Sequence, residues 1–196
     1  MQSELQQFVD ALLANARAFD VVFSSEMTEK LGNYYSLLSR WNDRLHLVAP
    51  CSPEEFATRH VLESLILLKH LPPGATIADV GSGAGLPIIP CLIARPDVDA
   101  TLIESSQRKA VFLREALNAV GRSAQIIARR FEEVEAPAVS FVSCRALDQF
   151  IRKIPDLIAW APDGSTLLLF GGEKLLSAER FLIPGSEKRY LFVVRK

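Results

Sequence analysis

From Gly74 onward, the sequence alternates between short apolar runs and longer segments whose apolar residues recur at helical spacing. The short runs predict strands at 75–80, 100–103, 124–128, 139–142 and 165–170. The longer segments predict helices at 87–95, 106–121 and 147–160. Such alternation is typical of βαβ units, which place parallel strands in one sheet. At the end of the chain, runs 181–183 and 189–195 flank Pro184-Gly185-Ser186, which predicts a hairpin and an antiparallel last strand.

The residues before this alternation predict helices alone. Apolar residues at helical spacing indicate two helices between residues 3 and 45. Ser52 can cap a third helix, with Pro53 at its first position, and that helix ends before Pro72-Pro73-Gly74. We therefore expect an N-terminal helical cap over residues 1–73 and a sheet-containing core over residues 74–196, packed as one compact unit.

A glycine-rich loop, residues 79–87, follows the first predicted strand and opens a predicted helix. Gly81 and Gly83 permit tight turns and close approach of a ligand, and open parallel sheets bind ligands at such loops. A P-loop is excluded because no Gly-Lys-Ser/Thr sequence follows. A carboxylate at Asp79 suits a cationic ligand better than a pyrophosphate. S-adenosylmethionine (SAM), with its ammonium and sulfonium groups, is such a ligand.

Glu104 ends the second predicted strand, just over twenty residues after Gly81. A carboxylate there can accept hydrogen bonds from both hydroxyls of a ribose. Because NAD and SAM both contain a ribose, Glu104 indicates a nucleoside ligand without choosing between them. The glycine spacing, GxGxG in place of GxGxxG, and Asp79 argue against NAD. A simpler interpretation of Glu104 is an acid that caps the next helix.

The run DVGSGAGLPIIP at 79–90 resembles the RsmG (GidB) family of 16S ribosomal RNA guanine-N7 methyltransferases. Further runs fit this family in order, over roughly residues 30–196: Trp41-Asn42, Arg59-His60 with Ser64, 101–113, 130–133, Arg145-Ala146 and Arg189-Tyr190-Leu191. The resemblance implies an α/β, Rossmann-like class I SAM-dependent methyltransferase fold. It implies a mostly parallel seven-stranded sheet with an antiparallel last strand and an N-terminal helical cap. It also implies methyl transfer from SAM to guanine N7 in small-subunit 16S rRNA.

The cofactor-binding residues follow from the glycine loop and from the resemblance. They are Asp79, Gly81, Gly83, Leu86, Glu104, Phe131, Glu132 and Arg145. Phe131 and Glu132 follow the third predicted strand, where an adenine can lie against the ring. For Phe131 alone, packing in the core is the other interpretation.

Arg145 and His60 are the predicted catalytic residues. Arg145 follows the fourth strand, from which a guanidinium can donate to guanine O6 or a phosphate, or close over the SAM carboxylate. His60 lies four residues before Ser64 on the third helix, and we expect the two to meet over the cofactor, with a structural histidine as the alternative. Guanine N7 has a free lone pair, so its methylation needs in-line positioning and no general base.

The charge of the chain bears on its partner. With 22 Lys and Arg against 23 Asp and Glu, the net charge is −1, which excludes RNA binding by bulk charge. A local basic face beside the cofactor remains possible. The residues predicted to bind ribosomal RNA or the small ribosomal subunit are Arg59, Arg108, Lys109, Arg129 and Arg130.

Four positions depart from the family's usual residues. They are His46 and Val48 in place of the outer residues of Asn-Leu-Thr, Glu63 in place of Asp, and Phe170 where Lys-Gly is usual. We expect these positions to face the substrate. Two alternatives therefore stay open: a family member that methylates another RNA or a small molecule, and a SAM- or NAD-binding protein without methyl transfer.

The cysteines and apolar stretches indicate the compartment. Cys51, Cys91 and Cys144 are odd in number and widely spaced, which argues against disulfides and a zinc site. The longest apolar stretch, residues 86–94, is too short to span a bilayer, and the first residues do not form a secretory signal. We expect a cytoplasmic monomer without a metal and without a membrane partner.

Overall fold

The protein is described by a computed structural model, which covers residues 2–145, 150–173 and 175–196. Within these ranges the chain forms seven strands: β1 Thr76–Val80, β2 Asp99–Ile103, β3 Gln125–Ile127, β4 Phe141–Cys144, β5 Thr166–Gly172, β6 Glu179–Leu182 and β7 Arg189–Arg195. They form one sheet in the order β3-β2-β1-β4-β5-β7-β6. Strands β1 to β5 pair in parallel, whereas β7 is antiparallel to both of its neighbours. The predicted sheet and its antiparallel last strand are confirmed, with strand ends displaced by at most two residues.

Among the described residues, six helical segments accompany the sheet. They are α1 Glu4–Asn15, α2 Ser25–Leu45, α3 at residues 53–70, α4 Ile88–Ala94, α5 Gln107–Ala119 and α6 Phe150–Trp160. Short 3-10 turns lie at Ala16–Phe19 and Phe131–Glu133. The first three residues of the helix predicted at 147–160 lie outside the described residues, as does Ala146. No helix in the described ranges combines the length and apolar character needed to cross a membrane.

Serine side chains fix where several helices begin. Ser3, Ser24, Ser52 and Ser106 each precede a helix and accept a hydrogen bond from a backbone N–H in its first turn. Such caps satisfy donors that have no partner within the helix. The predicted cap at Ser52 is confirmed, with the N–H of Glu55 at 3.2 Å.

Helix α3 is not a regular α-helix. Pro53–Glu55 and Glu63–Leu65 are α-helical, Phe56–Leu62 is π-helical, and Ile66–His70 is a 3-10 turn. Single π-helical turns inside helices occur frequently at functional sites. The stretch Phe56–Leu62 carries Arg59 and His60, two residues predicted to belong to the site.

The sheet is buried on both faces. On one face, helices α1 to α5 pack over strand residues such as Ile77 and Leu168. On the other, α6 and the turn at Phe131–Glu133 cover alternate strand residues such as Leu167 and Leu169. This alternation follows from the period of two in a strand. The first cluster joins residues on both sides of position 73, such as Phe8 and Phe112, in one continuous core.

Candidate functional site

A cleft of about 710 Å³ opens where the strands of the parallel sheet end. The loops after β1, β2, β3 and β4 each contribute to its wall, and helix α3 contributes His60. The cleft lies on the edge where open α/β sheets bind their ligands. Of the predicted cofactor residues, those that line it are Gly81, Gly83, Leu86, Glu104, Phe131, Glu132 and Arg145.

The glycine loop is held in one conformation by backbone contacts. Gly81, Gly83 and Gly85 have φ values of 73°, 51° and 82°, which glycine adopts without strain. The N–H groups of Gly81 and Ser82 both donate to the carbonyl of Ile103, at 2.8 and 3.2 Å. The loop after β1 is therefore tied to the end of β2.

Helix α2 supports this loop from the cap. The hydroxyl of Tyr34 donates to the carbonyl of Ala84 at 2.6 Å, and Tyr34 is fully buried. Burial raises the pKa of this phenol, so its proton stays available for the bond. The contact links the helical cap directly to the wall of the cleft.

Glu104 is fixed by two backbone donors. The N–H of Gly83 donates to Oε2 at 2.8 Å, and the N–H of Ser106 donates to Oε1 at 2.7 Å. The side chain is mostly buried and lines the cleft. Each carboxylate oxygen has a second lone pair. The carboxylate can therefore still accept two hydroxyl donors, as the vicinal hydroxyls of a ribose supply.

The carboxyl of Asp79 lies beneath the loop, so its predicted contact with a cationic ligand is not seen in the geometry. Asp79 is 1% exposed and is not among the described residues that line the cleft, whereas the next residue, Val80, is. Successive strand residues point to opposite faces of a sheet, which separates the two. Ser143 Oγ donates to Oδ1 at 2.6 Å, while Oδ2 has no partner among the described residues. Burial raises the pKa of this carboxyl to about 7, and the bond from Ser143 opposes the rise.

Phe131 lines the cleft while most of its ring is packed. Its edge meets Trp160 with the ring centroids 5.6 Å apart, and Lys153 Nζ lies 5.6 Å from its ring centroid. Lys153 also forms an ion pair with Glu132. The interpretation of Phe131 as a core residue therefore holds. Lys153 lines the cleft as well.

Arg145 reaches the cleft from the end of β4, but its donors are committed to the protein. Nη1 donates to the carbonyl of His60 and to Ser64 Oγ, both at 3.2 Å. Nη2 donates to the carbonyl of Arg59 and lies 3.4 Å from Glu63 Oε2. The guanidinium therefore holds α3 against the sheet. Only the N–H groups that these contacts leave free can donate to a ligand.

His60 presents a neutral ring to the cleft. Burial and, to a smaller extent, the charges of Arg145 and Arg59 lower its pKa to about 4. Its Nδ1 is buried without a partner among the described residues. The expected meeting of His60 with Ser64 over the cofactor is wrong, because Ser64 Oγ donates instead to the His60 carbonyl within the helix.

The predicted RNA-binding residues divide into two groups. Lys109, Arg129 and Arg130 line the cleft. Arg59 pairs with Glu55 on the same helix, and Arg108 lies outside the cleft, with Nη2 3.5 Å from the carbonyl of Arg44. Three of the five predicted residues therefore line the cleft, and Lys153 lines it with them.

The four departures from the family pattern also divide. Val48 lines the cleft, and Asn42 holds its backbone with bonds of 2.9 and 3.1 Å. His46 ends α2 in the left-handed conformation. Glu63 and Phe170 are buried beside Arg145 and are not among the described residues that line the cleft. Of the four, only Val48 is among the described residues that line the cleft, so the expected position facing the substrate is not seen for His46, Glu63 or Phe170.

The described residues contain no cluster of His, Cys, Asp and Glu with the geometry of a metal site. What the cleft offers is a glycine loop, a fixed carboxylate, a neutral imidazole and a rim of basic side chains. Such a set can bind a nucleoside and an anionic chain.

Comparison with known sequences gives one consistent family. The model of the family described as rRNA small subunit methyltransferase G (GidB) matches residues 27–177. A ribosomal RNA small subunit methyltransferase G of Xanthomonas campestris pv. campestris (strain B100) is 36% identical, over 96% of this chain and 95% of that protein. The protein of the same name from Methylobacillus flagellatus is 41% identical over 75% of this chain and 73% of its own.

Comparison with solved structures concerns the fold alone. The crystal structure of MtNAS in complex with MTA and tNA has a TM-score of 0.59 at 13% identity, covering 87% of this chain and 71% of that one. The crystal structure of P. horikoshii TYW2 in complex with MeSAdo has a TM-score of 0.54 at 16% identity, covering 69% and 62%. With the strand order above, these likenesses confirm the predicted Rossmann-like class I methyltransferase fold.

Proposed function

The chain belongs to the rRNA small subunit methyltransferase G family, and from that premise we propose that it methylates guanine N7 in 16S ribosomal RNA. It is a SAM-dependent enzyme that acts on small-subunit rRNA. The guanine and the N7 atom are the proposed part. The Glu104 carboxylate, fixed at the cleft beside the glycine loop, supports the binding of the cofactor. The observation that carries the N7 assignment is the His60 ring at the same cleft, whose pKa of about 4 makes it a weak base.

The cleft suits the nucleoside end of SAM. Glu104 presents two oriented oxygens to the ribose hydroxyls, and the left-handed turns at Gly81 and Gly83 leave the loop without side chains. When bound, SAM supplies a methyl group activated on a sulfonium. The Asp79 carboxyl acts on the ligand only through the loop above it, because it does not reach the cleft.

The chemistry at the cleft suits a nucleophile that needs no base. With a pKa of about 4, the His60 ring is a weak proton acceptor, and Arg145 is bonded to the helix and to Glu63. Guanine N7 attacks through its own lone pair, so the remaining task is to hold the base in line with the methyl group. We assign that task to the wall formed by α3 and the end of β4.

The rim supports an RNA substrate. Lys109, Arg129, Arg130 and Lys153 all line the cleft. Basic side chains in this arrangement can contact successive phosphates. We further propose that residues 1–73 act as a cap over the core at 74–196, and that the enzyme works as a monomer in the cytoplasm.

Methyl transfer from labelled SAM to purified small subunits, and separately to naked 16S rRNA, tests the proposal. Borohydride reduction followed by aniline treatment cleaves an RNA chain at an N7-methylated guanosine. We expect SAM-dependent cleavage at a guanosine of 16S rRNA with at least one substrate. Label at other atoms, or in other RNA alone, contradicts the proposal.

The two alternatives predict different outcomes. A retargeted enzyme leaves 16S rRNA unlabelled, and a protein without methyl transfer labels nothing. A protein that binds NAD melts at a higher temperature with NAD and not with SAM. The burial of Glu63 and Phe170 beside Arg145 weakens the first alternative, because neither is among the described residues that line the cleft.

A further inference from the structure

A buried carboxylate joins the helical cap to the sheet close to the cleft. Glu63, on α3, has a side chain only 3% exposed. Its Oε1 accepts from Arg189 Nε and Nη2 at 3.1 and 2.6 Å, and its Oε2 lies 3.4 Å from Arg145 Nη2. Arg145 follows β4 and Arg189 begins β7, so the Glu63 carboxylate contacts residues at the ends of two strands.

The guanidinium of Arg145 continues this contact into the π-helical stretch. It donates to the carbonyls of Arg59 and His60 and to Ser64 Oγ, and the ring of Phe170 lies 5.5 Å below it. These contacts fix the backbone of the residue whose ring lines the cleft, His60. The chain of contacts runs from Glu63 through Arg145 to His60.

We propose that Glu63 is a positioning residue for methyl transfer, which acts by holding Arg145 against the carbonyls that orient His60. The inference rests on the proposed function. Without the carboxylate, the largely buried Arg145 would have no anion beside it, and the half-exposed Arg189 would add a second unpaired cation nearby. Arg145 would lose the anion that holds it against the π-helical stretch, and the wall that holds the target base would loosen. Among the described residues, Glu63 forms no hydrogen bond or ion pair with the glycine loop or with Glu104, so we expect both to keep their geometry.

The replacement Glu63→Gln keeps the size of the side chain and removes its charge. At a temperature well below its melting point, we expect kcat for 16S rRNA to fall at least about tenfold, because a misplaced wall costs rate more than binding. The SAM Kd should stay within about threefold of the parent. Glu187→Gln, an exposed carboxylate in the β6–β7 turn, should leave both values unchanged. Parental kcat in folded Glu63→Gln, or a SAM Kd that rises by the same factor as kcat falls, overturns the proposal.

A double variant covers the case in which Glu63→Gln fails to fold. Glu63→Gln with Arg189→Gln removes the carboxylate together with the second cation, so no pair of like charges remains. Arg145 still lacks its anion, and kcat should fall as in the single variant. In Arg189→Gln alone, Glu63 still forms its ion pair with Arg145, so kcat should stay within about threefold of the parent value. A double variant with parental kcat contradicts the role of Glu63.

Nuclear magnetic resonance separates this inference from the proposed function, because it needs no substrate. In the parent, the bonded guanidinium of Arg145 should give slowly exchanging Nη–H signals. In Glu63→Gln or the double variant these signals should be lost, and the His60 ring signals should move. If they persist unchanged, Glu63 does not hold Arg145. If the parent does not methylate 16S rRNA, the proposed function is wrong. The Arg145 and His60 signals still show whether Glu63 holds Arg145.

Discussion

Glu104 shows how a single residue at the site can be inferred from its place in the chain. The ends of parallel strands meet at one edge of a sheet, so a carboxylate at the end of the second strand had to lie near the loop after the first. The orientation of Asp79 could not be inferred in the same way. It depends on which face of β1 the residue takes and on Ser143, a partner 64 residues away.

Replacing Glu104 by Gln should weaken SAM binding. The N–H groups of Gly83 and Ser106 each donate to one carboxylate oxygen, so one of them would face an amide NH₂. The ribose hydroxyls would also lose a charged acceptor, and because a hydrogen bond to a charged group contributes about 1.5–3 kcal/mol, SAM Kd should rise about tenfold to a hundredfold. Titration calorimetry measures the change, with Glu115→Gln on the exposed face of α5 as the control. A parental Kd in Glu104→Gln would remove this residue from the cofactor site.

Replacing Asp79 by Asn should alter how stability depends on pH. Burial raises the pKa of the Asp79 carboxyl from 3.8 to about 7, so the folded state holds a proton that the unfolded state has released. Stability from this group is therefore present below about pH 4 and is lost as pH rises towards 7, by up to about 1.4 kcal/mol per unit. In Asp79→Asn this loss should vanish. His60, whose pKa is lowered, contributes equally to parent and variant and cancels in the difference.

Urea unfolding of both proteins between pH 4 and pH 8 supplies the comparison. The free energy of unfolding of the variant minus that of the parent should grow across this window. Parallel curves for the two proteins would mean that Asp79 titrates normally in the folded state.

At the scale of elements, periodicity predicted which segments are helices and strands, and it could not predict how α3 departs from regularity. The apolar spacing of residues 53–70 is helical, yet Phe56–Leu62 is π-helical. The carbonyls of Arg59 and His60 accept from Arg145, whose position depends on β4 and on Glu63. A tertiary contact of this kind leaves no local signal in the sequence.

The turn from β1 into α4 depends on Gly85. Its φ is +82°, and a Cβ there would lie 2.3 Å from Ile89 Cδ1 and 3.3 Å from Leu113 Cδ2. Gly85→Ala should therefore lower the free energy of unfolding by about 2–4 kcal/mol, from overpacking and backbone strain together. Gly121→Ala is the matched control, because its φ is +63° with nothing within 4 Å of the added atom. It should cost only the backbone part, about 1–2 kcal/mol. If both variants lost the same free energy of unfolding in urea, the Ile89 side chain would have moved aside without cost.

At the scale of the whole molecule, the cap and the sheet share one core, and the cleft lies where they meet. Tyr34 ties α2 to the glycine loop, and Arg145 ties β4 to α3. The division at residue 73 therefore follows the change in sequence pattern, while packing crosses it. These contacts hold together the walls of the cleft, which different parts of the chain build.

The basic rim should carry the salt dependence of RNA binding. Arg130→Ala removes one cation that lines the cleft, so the slope of log Kd against log salt should fall by about 0.7–0.9 for one lost phosphate contact. Lys188→Ala, an exposed cation in the β6–β7 turn, should leave the slope unchanged. Binding of a 16S rRNA fragment across a salt series measures both. Equal slopes for Arg130→Ala and the parent would place the RNA elsewhere on the surface.

Methylation of 16S rRNA in cells tests the central claim most directly. A strain deleted for its own enzyme of this family would receive either the parent chain or its Glu104→Gln variant, and nuclease fragments of 16S rRNA would be mapped by mass. The account predicts one added methyl group, on a guanine at N7, that appears with the parent and is strongly reduced with the variant. A 16S rRNA that gains no methyl group from the folded, expressed parent, or gains it on another base, would contradict the account.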